Sequence, residues 1–214
     1  MVSCAYVAGM ARALDTVVFD LGGVLMEWEP RRLYRTMFAG DDDAMEHFLA
    51  TVCTPAWNDE LDRGLPFATG VDRLIAAHPH HAANITAYQT RWEEMLGPPL
   101  DDAVAVLRDL RDAGVPVYAL SNWSAETFPV ARRRFDFLDW FDGVLISGDV
   151  GITKPDPRIF DELCRRFGLD PARSVFVDDR DVNVEGARRY GFTGVLFVSG
   201  VSLRAELSAL GLLD

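Results

Sequence analysis

Short runs of β-branched and apolar residues recur along the chain, each followed by polar residues and then by a helical pattern. Five runs read as strands: Thr16–Asp20, Pro116–Leu120, Gly143–Ile146, Ser174–Val177 and Gly194–Phe197. Between the last four lie helical patterns, Ala125–Arg134, Pro157–Phe167 and Asp181–Tyr190. A further pattern, Asp101–Ala113, ends at Gly114 just before the second strand, a helix stop followed by a turn. Strands alternating with helices of this length predict a parallel sheet covered on both faces. Such sheets bind ligands beyond the carboxyl ends of their strands, so those ends are where chemistry is to be sought.

The spacing of the strand ends predicts an insertion. Ser121 to Lys154 is 33 residues and Lys154 to Asp178 is 24, each about one crossover unit. Asp20 to Ser121 is 101 residues, far too long for one crossover. The excess, roughly Pro30 to Pro99, offers no convincing strand but several helical patterns, among them Asp41–Val52, Phe67–Ala77 and Ala82–Leu96. Gly97-Pro98-Pro99 reads as the hinge back to the core. The fold class expected is therefore α/β, a Rossmann-like parallel sheet core with a helical cap inserted after the first strand. Residues 14–29 and 100–214 would form the core, 30–99 the cap, and 1–13 an N-terminal extension. That extension has no basic start ahead of an apolar stretch, unlike a signal peptide.

Composition narrows the function. The chain of 214 residues is 49% hydrophobic and 25% charged, ordinary for a soluble globular protein, and has no apolar run of membrane-spanning length. Its net charge of −12 opposes binding to nucleic acid or an anionic membrane. The partner expected is a small molecule, and the protein a monomer or homodimer. Cys4, Cys53 and Cys164 are odd in number and lack metal-type spacing, which fits a reduced, cytoplasmic setting. One asymmetry stands out: Lys154 is the only lysine, every other basic residue being arginine. A compact ammonium, unlike a planar guanidinium, would be what that position needs.

Four strand ends carry polar residues. The first ends in FDLGGVL, with Asp20 at its tip and Gly22 and Gly23 after it; the second, in ALSNW, gives Ser121 and Asn122. Lys154 follows the third in TKPDP, and the fourth ends in VFVDDRDVN, giving Asp178, Asp179, Asp181 and Asn183. A strand-end carboxylate followed by glycines lets backbone approach a ligand closely. Further carboxylates at a neighbouring strand end complete an oxygen-rich site of the kind magnesium takes. A hydroxyl and an ammonium across the same crevice suit a phosphoryl group.

The order Asp-x-x-Gly, Ser-Asn, Lys-Pro, Asp-Asp, each at a strand end, resembles the four motifs of the haloacid dehalogenase superfamily. The likeness runs from Thr16 to about Leu210, with the helical insert at the family's cap position. DLGGVL and DDRDVNVEGA look especially like a bacterial subgroup of sugar-phosphate phosphatases and the phosphatase half of soluble epoxide hydrolases. The resemblance implies a magnesium-dependent phosphatase that passes through an aspartyl-phosphate on Asp20. It makes Asp20, Gly22 (through its carbonyl) and Asp179 the metal ligands, with Asp178 and Asn183 supporting from behind. It also implies that Ser121 and Asn122 hold the phosphoryl group and that Lys154 balances its charge.

One position departs from the pattern. Most phosphatases of this family carry a second Asp two residues after the nucleophile, as general acid; here that position is Gly22. Loss of a general acid forfeits roughly 10² to 10⁴ in rate. Two alternatives stay open on that ground, a 2-haloacid dehalogenase-like hydrolase and a non-catalytic protein binding a phosphorylated ligand. Against the dehalogenase, Asp178-Asp179 stands where those enzymes use neutral residues, and three carboxylates together repel without a cation.

Other features read more plainly. His78, His80 and His81 flank Pro79 in a loop between cap helices, and Asp41-Asp42-Asp43 marks a helix start. Arg132-Arg133-Arg134 sits late in a helix, where cations are favoured, and Asp181 reads as a helix N-cap. Trp28, Trp57 and Trp123 are core residues by default, or else pocket walls for a ring. Trp28 and Arg63 are the candidate contacts to the substrate beyond its phosphate.

Overall fold

Alternation within the first strand decides the architecture. Val17 and Phe19 join one apolar cluster and Val18 another. The same division separates Val175 and Val177 from Phe176, and Val117 and Ala119 from Leu120. Successive side chains of a strand point to opposite faces, so these strands are buried on both sides.

The computed structural model describes residues 13–214. The strands are β1 (Thr16–Phe19), β2 (Met26–Trp28), β3 (Leu96–Pro99), β4 (Val117–Ser121), β5 (Gly143–Ile146), β6 (Ser174–Asp178) and β7 (Thr193–Leu196). Five of them form one sheet in the order β5-β4-β1-β6-β7, all parallel. The winding reverses beside β1, the place where open α/β sheets offer a crevice. Between β2 and β3 run α1 (Arg31–Met37), α2 (Asp42–Thr51), α3 (Pro55–Asp62), α4 (Phe67–Ala77) and α5 (Ala82–Thr90). The rest of the chain adds α6 (Asp101–Asp112), α7 (Phe128–Arg134), α8 (Ser147–Val150), α9 (Pro157–Phe167), α10 (Asp181–Tyr190) and α11 (Gly200–Ala209). The parallel α/β core with inserted helices is thus as the sequence predicts. No described helix is long and apolar enough to cross a membrane. The N-terminal extension, through residue 12, and Cys4 lie outside the described residues.

Three expectations need correction. The stretch before Pro99 does contain a strand: β3 pairs antiparallel with β2, Met26 opposite Pro99 and Trp28 opposite Leu96. Pro98 and Pro99 lack N–H donors, but a two-stranded ribbon is all edge, where proline is tolerated. The pattern Ala82–Leu96 is accordingly not one helix; α5 stops at Thr90, a 3-10 turn covers Trp92–Met95, and buried Leu96 belongs to the ribbon. The pattern Ala125–Arg134 becomes helical only at Phe128, because Pro129 is confined to a first turn.

The inserted helices share one apolar cluster with a face of the sheet. Their own centre is aromatic, with Tyr34 and Phe48 ring centroids 4.9 Å apart and Trp57 and Tyr88 also 4.9 Å apart. Polar ties fix them to the core as well. Phe67 N at the start of α4 donates to Glu126 Oε1 (2.9 Å), and Ser147 Oγ donates to Asp62 O (2.5 Å). The loop after β4 closes tightly on α8: Gly148 N donates to Trp123 O at 3.0 Å. A methyl at Gly148 would overlap Ala125 N and lie 2.8 Å from Trp123 O, both backbone atoms. Gly148→Ala is therefore expected to destabilise the fold by about 1–3 kcal/mol in urea denaturation. An unchanged midpoint would mean that the two loops part freely.

Candidate active site

Asp20 continues β1 by one residue, its N–H donating to Val177 O at 2.8 Å. Three donors converge on a single carboxylate oxygen: Oδ1 accepts from Leu21 N (2.7 Å), Ser121 Oγ (2.7 Å) and Lys154 Nζ (2.9 Å). Oδ2 has no donor among the described residues. Burial pushes the Asp20 pKa upward, Lys154 opposes this, and the Asp178 charge adds to the rise.

Lys154 is wholly buried and uses all three of its N–H bonds. Besides Asp20 it reaches Asp178 Oδ2 (2.7 Å) and Leu120 O (2.8 Å). The Phe176 ring lies 5.5 Å from Nζ, adding its π-face. Burial alone would lower its pKa, but the two carboxylates outweigh burial and raise it, so the group stays an ammonium. Its main chain is locked too. Lys154 N donates to Asn122 Oδ1 (2.8 Å) and Asn122 Nδ2 donates to Lys154 O (3.1 Å). Both ends of the Asn122 amide are thereby committed. The Asn122 side chain positions Lys154, whereas the sequence suggests a direct hold on a phosphoryl group.

Asp178, fully buried, also accepts from Arg180 N (2.9 Å) and from Asn183 Nδ2 (3.0 and 3.1 Å). Asn183 Oδ1 is buried and has no hydrogen-bond partner. Asp179 stands at the exposed rim, where burial of part of its carboxyl and the Asp178 charge raise its pKa. Asp181 opens α10 as its first helical residue; the N-cap is Arg180, so the capping role expected of Asp181 is not realised.

One oxygen from each of Asp20, Asp178 and Asp179 lies within 4.8 Å of the others. Asp178 is spoken for by Lys154, Asn183 and Arg180, which leaves Asp20 Oδ2 and Asp179 as the free anionic oxygens. Two carboxylates with free oxygens are a hard, oxygen-only donor set, and they fit magnesium. Gly23 serves the same end. It has φ +79, and a Cβ there would overlap Asp179 Oδ2. Gly22 is different: its φ is not left-handed, and a Cβ would sit an ordinary 3.6 Å from Trp28 Cβ.

These groups open into a crevice of about 960 Å³ between the strand ends and the inserted helices. Trp28, Trp92, Trp123, Phe67 and Tyr88 give it an aromatic wall, and Arg63 lies on its rim, paired with Asp59 at 2.7 Å. Trp57 is core, its Nε1 donating to Gly70 O (3.3 Å). Asp41 caps α2 through Ala44 N (3.0 Å), the three arginines close α7, and His80 and His81 occupy a 3-10 turn between α4 and α5, with His78 at its N-cap. Cys53 borders the crevice, but burial pushes its thiol up to about 12, so it offers no thiolate.

Sequence reasoning misses Asp62, at the end of α3. It faces the crevice, and Asn58 Nδ2 donates to its Oδ2 (2.8 Å) while Tyr88 OH holds Asn58 Oδ1 (2.7 Å). Burial pushes its pKa up to about 7, with Asp59 and Asp20 adding; the Ser124 backbone N–H and Asn58 pull the other way. In the string NDELDRG nothing marks one acid of a polar helix as inward.

A strand-end carboxylate clasped by a buried lysine, opposite an acidic pair, defines the class: a hydrolase of parallel α/β fold. Residues 14–191 match the family model of the haloacid dehalogenase-like hydrolases, and the chain belongs to that family. It is 25% identical over 201 residues to a sesquiterpene phosphatase of Aspergillus oryzae, covering 94% of this chain and 98% of that one. A glyceraldehyde 3-phosphate phosphatase of Methanopyrus kandleri is 34% identical over 127 residues, 58% of this chain and 54% of the relative. In fold it is similar to a haloacid dehalogenase family enzyme of Bacteroides thetaiotaomicron solved with magnesium and inorganic phosphate. That likeness has TM-score 0.65 and 20% identity, covering 88% of this chain and 96% of the other.

The lysine cluster makes a prediction on stability. Lys154→Met would leave Asp20 and Asp178 facing each other in a buried site, at a cost of roughly 3–5 kcal/mol. Urea denaturation at pH 7 measures it. The cost should shrink at pH 5, because burial already raises Asp20 and a proton then replaces the lost ammonium. A loss that is small, or the same at both pH values, would mean the cluster does not carry uncompensated charge.

Proposed function

We propose that the protein is a magnesium-dependent phosphatase of small phosphorylated metabolites, such as sugar phosphates, working through an aspartyl-phosphate on Asp20. The observation that carries this reading is the asymmetry of Asp20: three donors fix Oδ1 and leave Oδ2 free, in a carboxyl group clustered with Asp178 and Asp179. Asp20 Oδ2 attacks phosphorus and the alcohol departs; water then cleaves the bond between phosphorus and Oδ2, releasing phosphate and restoring the carboxylate. Ser121 orients the nucleophile and borders the phosphoryl group. Lys154 holds Asp20 ionised and offsets charge on the phosphoryl oxygens, and Asn122 fixes the lysine. Magnesium, held by Asp20, the Gly22 carbonyl and Asp179, would neutralise the repulsion between carboxylate and phosphate. Asp178 and Asn183 hold these residues from behind.

In this reading residues 14–29 and 100–214 do the chemistry and 30–99 form a cap that excludes water and selects the substrate through Trp28 and Arg63. The names of the two phosphatase relatives support the reaction type. The acidic charge supports a small-molecule partner over nucleic acid, and the free Cys53 and Cys164 suit a cytoplasmic setting. A metal-free dehalogenase fits less well, because the three clustered carboxylates would repel.

A screen of phosphorylated metabolites with and without magnesium, using Asp20→Asn as the blank, tests the reaction. Turnover is expected only with metal and with Asp20; full turnover in a chelator, or by Asp20→Asn, would remove the proposal. Lys154→Arg keeps the charge but replaces a three-pronged ammonium by a longer planar group. Its kcat should fall by roughly 10²-fold or more, on the scale of losing one positioned donor. Equal rates in a variant of unchanged circular dichroism would make the lysine incidental.

A further inference from the structure

Gly22 leaves the usual place of the proton donor without a carboxyl group, and the leaving oxygen of an ordinary ester needs one. Across the crevice from the strand ends, α3 brings a carboxyl group from the inserted helices. Its last turn is pinned to the core: Ser147 Oγ donates to Asp62 O (2.5 Å) and accepts from Trp123 N (2.9 Å). The Ser124 N–H, one residue further along the loop of Ser121 and Asn122, faces the Asp62 carboxyl. Asp62 thus lines the same cavity as Asp20, Gly22 and Ser121, held from both sides.

We propose that Asp62 is the general acid and general base of the reaction, supplied from the inserted helices in place of the carboxylate that Gly22 lacks. The inference rests on the phosphatase reading. In the first step Asp20 Oδ2 bonds to phosphorus, and the electron pair of the phosphorus–oxygen ester bond goes to the leaving oxygen. That oxygen takes the Asp62 proton and departs as the alcohol. In the second step water attacks phosphorus and gives one proton to the Asp62 carboxylate. The phosphorus–Oδ2 bond breaks, its pair returns to Asp20, and both carboxyl groups are as they began.

The surroundings suit a group that must hold a proton and then lose it. Burial sets its pKa at about 7, and Asp59 on the same helix and Asp20 across the crevice both push it upward. Arg63, the nearest cation in sequence, is turned to Asp59 instead. Tyr88 from α5 bears on it through Asn58, as a neutral hydroxyl whose own pKa is raised by burial and by Asp62.

The test is the dependence of kcat/KM on leaving-group pKa, which reports the steps through release of the alcohol. Parent and Asp62→Asn are compared on phosphates ranging from 2,4-dinitrophenyl to simple alkyl. Asp62→Asn keeps the side-chain shape, and the bond from Ser147 uses the Asp62 backbone, so the fold is expected to persist. Alkyl esters should lose about 10² to 10⁴ in kcat/KM, and 2,4-dinitrophenyl phosphate should stay near the parent value. With that ester the variant should also show a burst of one dinitrophenolate per site, since the water that clears Asp20 has lost its base. Adding Gly22→Asp, for which the backbone has room, should flatten the slope again. A uniform loss across the series, or none, would overturn the assignment of Asp62 while leaving the phosphatase standing. A parent inactive on every phosphate would remove both readings together.

Discussion

The site depends on one buried ammonium. Lys154 spends its three N–H bonds on groups from three neighbouring strands: Asp20 beyond β1, Leu120 O in β4 and Asp178 at the end of β6. None of these bonds can form unless the strands end level with one another. The register sees to that: Phe19 stands opposite Ala119 on one side and Val177 on the other, so the next residues of β1 and β6 are Asp20 and Asp178. A slip of one residue would turn Val17 and Phe19 to the wrong face and take Asp20 away from the lysine. Core packing and site geometry are therefore one constraint, which the ammonium makes electrostatic as well. Remove the charge, and two buried carboxylates face each other with nothing between.

Much of this was legible because strands obey a simple rule. A short apolar run buried on both faces stops where polar residues begin, and the stops at Asp20, Ser121 and Asp178 are the site. The lone lysine stood out for a related reason, since its position needs three radial donors, which arginine does not offer in that shape. Helices α4, α9 and α10 were also plain in their periodicity. What stayed hidden depends on partners distant in sequence. Leu96 looks helical until Trp28 is known to lie beside it, and α3, only eight residues long, buries little beyond Trp57 and Leu61. Asn122 sits in the expected motif, but its partner is the Lys154 backbone, 32 residues away. Asp62 was hidden most of all, because the sequence of a polar helix does not say which acid its last turn aims inward.

The two glycines after Asp20 look alike in sequence and differ in cause. At Gly23 a side chain is excluded, by a left-handed backbone and by the carboxylate of Asp179 in the space a Cβ would fill. At Gly22 neither obstacle exists, and a Cβ there would meet only ordinary contact with Trp28. The missing carboxyl is thus not a steric necessity of the loop. It moves the question of proton supply from the strand to whatever faces it, and what faces it comes from the inserted helices. On the proposed reading, a core that fixes nucleophile, lysine and metal oxygens by sheet register would leave the proton to an element held by a few polar ties, chiefly Ser147 to Asp62 and Glu126 to Phe67. Anything that shifts α3 by a turn would then alter proton transfer without touching Asp20, coupling the fit of the substrate beneath those helices to the chemistry below.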